Sequence, residues 1–111
     1  MSDAERLADI VERIDRIRRA TAGGKAGFFE SDVIQDAVIR NLELIGEAAK
    51  HVSAAVRRQN PGVPWHDMAR FRDLAIHDDG KLLADEVWAI VEKDLVTIRR
   101  AIQNVSASRS S

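Results

Sequence analysis

Residues 32–59 read DVIQDAVIRNLELIGEAAKHVSAAVRRQ, and this stretch decides the fold. Its apolar positions recur every three or four residues, which is the spacing of one face of an α-helix. They are Ile34, Val38, Leu42, Ile45, Ala49, Val52 and Val56. Ser31 can cap the start of the helix. We therefore predict one long helix from Asp32 to Gln59, weakened only at Gly46. A glycine there costs up to ~1 kcal/mol unless another backbone packs against it.

A second helix is predicted ahead of this segment, from Asp3 to about Ala20. Its apolar residues again follow the helical spacing: Leu7, Ile10, Ile14 and Ile17. Ser2 and Glu5 form the sequence pattern of a capping box at its start. Gly23, Gly24 and Gly27 then break the pattern. In this connection Phe28 and Phe29 are expected to fill the core.

Two further helices are predicted after the turn at residues 60–64, which holds both prolines. One is short, from Trp65 to about Ile76, and is ended by Asp78, Asp79 and Gly80. The other begins near Ala84, and its apolar residues are Trp88, Val91, Leu95, Ile98, Ile102 and Val105. The connections are short, so the fold class is all-α, an antiparallel four-helix bundle with room for an additional short helix or helical turn. We expect one domain over residues 1–105 and a disordered tail over 106–111.

Composition narrows the function classes. The chain has 111 residues, no cysteine, and 17 Lys plus Arg against 18 Asp plus Glu, for a net charge of −1. Bulk charge therefore cannot bind nucleic acid, and disulfides and thiolate metal sites are excluded. The three histidines have no metal-ligand spacing, so we expect no metal and no cofactor. No apolar run approaches the ~20 residues of a membrane span, and the charged N-terminus does not look like a signal peptide. The expectation is a cytoplasmic protein without a membrane partner.

The stretch whose side chains could take part in catalysis is residues 70–80, RFRDLAIHDDG. On an ideal helix Asp73 and His77 are neighbours at i and i+4. A carboxylate beside an imidazole raises the pKa of the ring and fixes which nitrogen carries the proton. Arg72 and His77 lie about 140° apart on such a helix. They converge on one ligand only near a helix end, or if a second subunit supplies one of them. A surface ion-pair cluster at a helix C-terminus remains the alternative.

Three blocks of sequence carry a resemblance to a known family. They are residues 36–50 (DAVIRNLELIGEAAK), residues 61–65 (PGVPW), and residues 72–77 (RDLAIH) leading into Val87-Trp88 and Asp94-Leu95. The chain resembles HepT proteins of the HEPN domain family, the toxin half of HepT–MNT toxin–antitoxin pairs. The likeness extends from Leu7 to about Ile102. It implies a bundle of HEPN type that acts as a metal-independent endoribonuclease.

The resemblance also implies where the site lies. In the family an arginine and a histidine line a cleft at a homodimer interface, and these residues correspond to Arg72 and His77. Asp73 corresponds to the polar residue after the arginine. RNA supplies its own 2′-OH nucleophile, so His77 would act as the base. Arg72 would stabilise the charge that builds up on the phosphate, and Asp73 would hold His77. A dimer would bring two of each residue into one groove.

One position departs from the family. The tyrosine that an MNT-type nucleotidyltransferase adenylylates is Asp79 here, so this chain cannot be modified at that position. Asp79 also adds negative charge where RNA should approach. The alternative function is therefore a weakened or silent HEPN dimer that binds the nucleotidyltransferase or a nucleotide. A purely structural bundle fits the composition but ignores the motif blocks.

The charge around the motif bears on the oligomeric state. Residues 61–80 hold two arginines and four aspartates, a net charge of −2. Binding an RNA substrate there would rely on Arg70, Arg72 and their copies in a second subunit, so we expect a homodimer or a higher even oligomer.

Overall fold

The computed structural model describes the backbone of residues 1–76 and 80–110 and the side chains of residues 1–74 and 83–105. The described chain is built from helices, as the sequence predicts. The α-helices are α1 (Asp3–Ala20), α2 (Gly24–Phe29), α3 (Asp32–His51), α4 (Ala54–Gln59), α5 (Trp65–Arg70), α6 (Gly80–Ala89) and α7 (Leu95–Ser110). A 3₁₀ helix (Phe71–Ile76) follows α5, and a π-helical turn (Ile90–Asp94) joins α6 to α7. Among the described residues, no helix is both long and apolar enough to cross a membrane.

The core lies along the contact between α1 and α3. The predicted apolar face of α1 is confirmed, since Leu7, Ile10, Ile14 and Ile17 are fully buried. Most of the predicted face of α3 is buried against it. The two helices run antiparallel, because the N-terminal end of α1 meets the C-terminal end of α3: Asp3 Oδ1 accepts the backbone N–H of Ser53 at 2.9 Å. Both predicted N-caps are present, with the full capping box of Ser2 and Glu5 on α1 and the Ser31 cap on α3.

The prediction of an unbroken helix from Asp32 to Gln59 is wrong. Helix α3 ends at His51, and the backbone of Val52 is extended. The Ser53 side chain accepts the N–H of Val56 at 3.3 Å and so caps a new helix, α4. A serine followed by apolar residues favours a helix start as well as a helix interior. Its bond to Asp3 fixes the choice, and the apolar stripe continues across the break because Val52 and Val56 remain buried.

The last long helix also differs from the prediction. It begins at Gly80 and contains the π-helical turn, whose extra residue changes which side chains face inward. Val87, Ile90 and Leu95 are buried, whereas the predicted core residues Trp88 and Val91 are only partly buried. The interval of five residues between Ile90 and Leu95 spans the π turn. Helix α7 continues to Ser110, past the expected end of the domain.

The aromatic residues after the glycines act as predicted. Phe28 is 1% exposed, and its ring centroid lies 5.2 Å from that of Phe29 and 5.3 Å from that of Trp88. Phe29 and Trp88 pack against the core from its edge. This cluster joins the short helix α2 to α6.

A two-pronged ion pair ties α1 to α7. Arg99 Nε donates to Asp15 Oδ1 at 2.8 Å, and Arg99 Nη2 donates to Asp15 Oδ2 at 3.1 Å. The hydrogen bond from Arg99 holds the pKa of Asp15 below its ordinary value of 3.8. The same bond raises the pKa of Arg99.

The pH dependence of this ion pair is testable. A lowered carboxyl pKa contributes stability above its ordinary value, and that stability is lost as the pH falls through the folded-state pKa. We expect Asp15→Asn to destabilise the fold by about 1 kcal/mol at neutral pH. The difference in unfolding free energy between Asp15→Asn and the parent should be smaller in strong acid than at neutral pH, as measured by urea denaturation. Asp9→Asn is the matched control, because Asp9 pairs with Arg13 inside one helix at 3.4 Å. An equal loss of unfolding free energy at both pH values would contradict a stabilising role for the ionised Asp15–Arg99 pair.

Candidate functional site

The site is organised by a close approach of two backbones. A Cβ atom on Gly46 would lie 2.7 Å from the backbone nitrogen of Arg72 and 2.9 Å from the carbonyl oxygen of Met68. The side chain of Met68 is fully buried and holds α5 against the core. Gly46 is therefore the point at which α5 and the 3₁₀ helix rest on α3. The sequence analysis named close packing by another backbone as the condition that makes a glycine tolerable here, and the structure meets that condition with a backbone that includes Arg72.

The side chain of Arg72 lies beside Glu47, the residue of α3 that follows Gly46. Its Nη1 lies 3.8 Å from Glu47 Oε2, and its Nε lies 3.9 Å from Asp73 Oδ1. The Arg72 side chain is 38% exposed. Two carboxylates thus orient the guanidinium while part of it stays open to solvent. Sequence reasoning missed Glu47. Its signal was available, because Glu47 directly follows the glycine that admits the Arg72 backbone.

Asp73 lies in a 3₁₀ helix rather than in the α-helix that the prediction assumed. The i, i+4 relation to His77 assumed an α-helix, but residues 71–76 form a 3₁₀ helix, in which positions three apart share a face. The neighbour given for the Asp73 carboxylate is Arg72. His77 and Asp79 lie outside the described residues, so the pairing of Asp73 with His77 stays a prediction.

A cleft of about 500 Å³ opens beside Asp73, between α5 with the 3₁₀ helix and α6 with the π turn. We call it the acidic cleft. Its lining is part apolar and part charged. Its lining residues are Asp67, Arg70, Phe71, Asp73, Leu74, Glu86, Ala89, Ile90, Lys93 and Asp94. Four carboxylates and two cations give the cleft a net charge of −2.

The two arginines of the motif lie in different surroundings. Arg70 lines the cleft together with Asp73, whereas Arg72 contacts α3. The two arginines of the motif therefore do not form one cationic patch. Lys93 and Asp94 enter the cleft from the π turn, which the sequence periodicity did not predict. Within the part of the chain that the structure describes, no group of three His, Asp or Glu residues could hold a metal ion.

The described residues form a helical domain in which an arginine on a short helix rests against a long central helix. Comparison with known families makes the class more specific. The chain belongs to the HepT-like family, whose model, described as "Ribonuclease HepT-like", matches residues 10–105. The resemblance stated from the sequence is thereby confirmed.

Curated relatives carry ribonuclease names. "Probable ribonuclease HepT" of Thermococcus cleftensis is 36% identical over 99 residues, which are 88% of this chain and 90% of that protein. "Putative RNase MJ1380" of Methanocaldococcus jannaschii is 35% identical over 78 residues, which are 70% of this chain and 72% of that protein. The family is therefore a ribonuclease family.

Another relative is longer than this chain. "Gamma-glutamylcyclotransferase and putative RNase MJ0434" of Methanocaldococcus jannaschii is 33% identical over 100 residues. The match covers 89% of this chain but 45% of that protein, so this chain spans less than half the length of that relative. No solved structure matches the chain.

Proposed function

We propose that this chain is an endoribonuclease that cleaves RNA without a metal ion, at a site built from Arg72 and His77. The observation that carries the proposal is the placement of Arg72. Its backbone rests on Gly46, its guanidinium is oriented by Glu47 and Asp73, and part of it remains open to a ligand. Ribonuclease names among the relatives support the same reaction class.

The chemistry follows from the substrate. RNA carries a 2′-OH beside each phosphodiester, so the protein needs to supply proton transfer and charge stabilisation rather than a nucleophile. His77 removes the 2′-OH proton as the oxygen attacks phosphorus. The 5′-oxygen of the next nucleotide then leaves, taking a proton from an acid. Arg72 stabilises the negative charge on the phosphate oxygens with its planar donors.

A homodimer completes this site. Within one chain the acidic cleft has a net charge of −2, and Glu47 and Asp73 offset the charge of Arg72. A second copy would place another Arg72 and another His77 beside the first pair, so that one histidine acts as base and the other as acid. An even oligomer is therefore part of the proposal, and a stable monomer would count against it.

The proposed biological role is the toxin of a toxin–antitoxin pair, held in check by an MNT-type nucleotidyltransferase. The mode of control has to differ from adenylylation of a tyrosine, because the 111 residues include no tyrosine. Control by binding is compatible with this composition. The residue at the family's tyrosine position is Asp79.

A catalytically silent dimer is the second candidate, and the acidic cleft favours it. Four carboxylates line this cleft of about 500 Å³ beside the motif. Asp79 adds a further negative charge nearby in sequence. Such a surface repels phosphates and suits a binding role toward the nucleotidyltransferase.

Expression in bacteria separates the two candidates. We expect the parent chain to arrest growth and the purified protein to cleave RNA in the presence of EDTA. His77→Ala should remove both effects at equal protein level, because no base remains for the 2′-OH. His66→Ala is the matched control, since His66 is an exposed histidine on α5 outside the motif. If parent and His77→Ala are equally harmless, or equally toxic, the ribonuclease assignment at this motif is lost.

A further inference from the structure

The two sides of the 3₁₀ helix differ in charge. One side is the acidic cleft, with a net charge of −2. On the other side Arg72 meets α3 at Glu47, one turn before the end of that helix. Beyond Glu47 the sequence contains no Asp or Glu from residue 48 to residue 66, a run of 19 residues. This run therefore concentrates positive charge next to Arg72.

The positively charged residues of this run lie in the last turns of α3 and α4, two helices that follow each other directly. Lys50 and His51 occupy the last turn of α3, and Arg57 and Arg58 occupy the last turn of α4. We call these four residues the α3–α4 corner. Arg57 Nε donates to the carbonyl oxygen of Val52 at 3.1 Å, which brings α4's arginine to the end of α3.

The carboxylate of Glu47 links the corner to the proposed catalytic arginine. His51 Nδ1 lies 3.5 Å from Glu47 Oε1, while the other oxygen of Glu47 lies 3.8 Å from Arg72 Nη1. Glu47 and His51 are four residues apart, which is about 6 Å along an α-helix. Lys50 lies three residues beyond Glu47, less than one turn of the helix, so a few nucleotides of single strand span the distance from Arg72 to the start of the corner.

Cations at helix C-termini also have a purely structural role, because they offset the helix dipole. Arg57 fills that role through its bond to Val52. Lys50 and Arg58 do not, since both are exposed and neither forms an ion pair or side-chain hydrogen bond with another described residue. Two positive charges thus face solvent without a partner in the described structure.

Helix α1 carries five arginines, and three of them form ion pairs within that helix. On α1, Arg13 pairs with Asp9, and Arg16 and Arg19 both pair with Glu12. At the corner the neighbouring carboxylates are Glu47 and Asp3, and Asp3 is bonded to the backbone of Ser53. The α3–α4 corner is therefore the cationic surface best placed to bind a polyanion next to Arg72.

We propose that single-stranded RNA runs from Arg72 over the end of α3 onto α4, with its phosphates bound by Lys50 and Arg58. This rests on the proposed ribonuclease function and names the surface that holds the substrate. The acidic cleft on the other side of the 3₁₀ helix repels the backbone and so directs it to the corner. Phosphate contacts of this kind give affinity without sequence preference and weaken as salt rises.

The test is the double variant Lys50→Gln/Arg58→Gln. Cleavage of a fluorescein-labelled single-stranded RNA should show KM raised about tenfold at low salt, with kcat nearly unchanged, because binding is lost and the reacting groups stay in place. Binding of the same RNA, measured by anisotropy in the non-cleaving His77→Ala background, should depend less steeply on salt, by about 1.4 in log–log slope for two phosphates.

The matched control is Arg18→Gln/Lys25→Gln. It makes the same change in net charge with exposed residues of α1 and α2, and it should leave KM and the salt slope unaltered. An equal effect in the control, or an unchanged KM and slope in the corner variant, overturns the proposal. If the parent binds RNA through the corner but never cleaves it, the surface is supported and the ribonuclease function fails. Absence of RNA binding by the parent overturns the surface itself.

Discussion

Arg72→Ala is expected to slow RNA cleavage by about 100-fold or more, in line with the loss of a group that stabilises transition-state charge. Its guanidinium lies at ion-pair distance from Glu47 and Asp73, and no other arginine among the described residues pairs with Glu47. The fold should tolerate the change. The side chain is 38% exposed, and the ion pairs it makes are long, so their loss costs at most about 1 kcal/mol.

Arg70→Ala is the matched control for this prediction. Arg70 lies two residues away in the same motif but lines the acidic cleft. Its loss removes one positive charge without touching the surface proposed for RNA, so cleavage should stay within about threefold of the parent. Both variants would be compared by initial rates on one RNA substrate at fixed salt. An equal loss in both would mean that overall charge, rather than the position of Arg72, limits the reaction. Full activity of Arg72→Ala would remove this residue from the mechanism.

Gly46→Ala is the second variant with a large expected effect, and it acts on the fold. Alanine is the better helix former by up to ~1 kcal/mol, which by itself would stabilise α3. However, the new methyl group would lie 2.7 Å from Arg72 N and 2.9 Å from Met68 O, and both are backbone atoms that cannot rotate away. The 3₁₀ helix must therefore shift, and overpacking of this kind costs about 1–3 kcal/mol.

The measurement is urea denaturation of Gly46→Ala beside Gly27→Ala. Gly27 also lies in a helix, but a Cβ there would meet nothing within 4 Å. Gly27→Ala should be neutral or slightly stabilising, whereas Gly46→Ala should be clearly less stable and should lose cleavage activity as Arg72 moves. If both variants gain stability alike, the two backbones do not approach as closely as described.

The elements that depend on local chemistry could be predicted from the sequence. The bounds of α1 and the start of α3 follow from serine caps and from apolar residues at helical spacing, which need no knowledge of the rest of the chain. The family, too, follows from short sequence blocks. Even the role of Gly46 could be anticipated in part, because a glycine inside a long helix implies that something packs closely there.

The predicted helix bounds were wrong where the same residues are compatible with two local conformations. Ser53 fits a helix interior or a helix start, and its bond to Asp3, fifty residues away, selects the start. Periodicity favours a stripe at Trp88, Val91 and Leu95, spaced by three and four, whereas the buried residues Val87, Ile90 and Leu95 include an interval of five that the π turn accommodates. Packing of the last helix against the core decides between them.

For the candidate site the division is similar. The sequence by itself determined which residues carry the chemistry, since arginine, aspartate and histidine types are fixed by the chain. Only the tertiary structure decided their neighbours. It put Arg72 against Glu47 of α3 and left Arg70 in the acidic cleft, although the two arginines are two positions apart. The physical reason is that a short 3₁₀ helix resting on α3 sends nearby side chains to opposite faces, and that geometry exists only once Gly46 has let the two backbones meet.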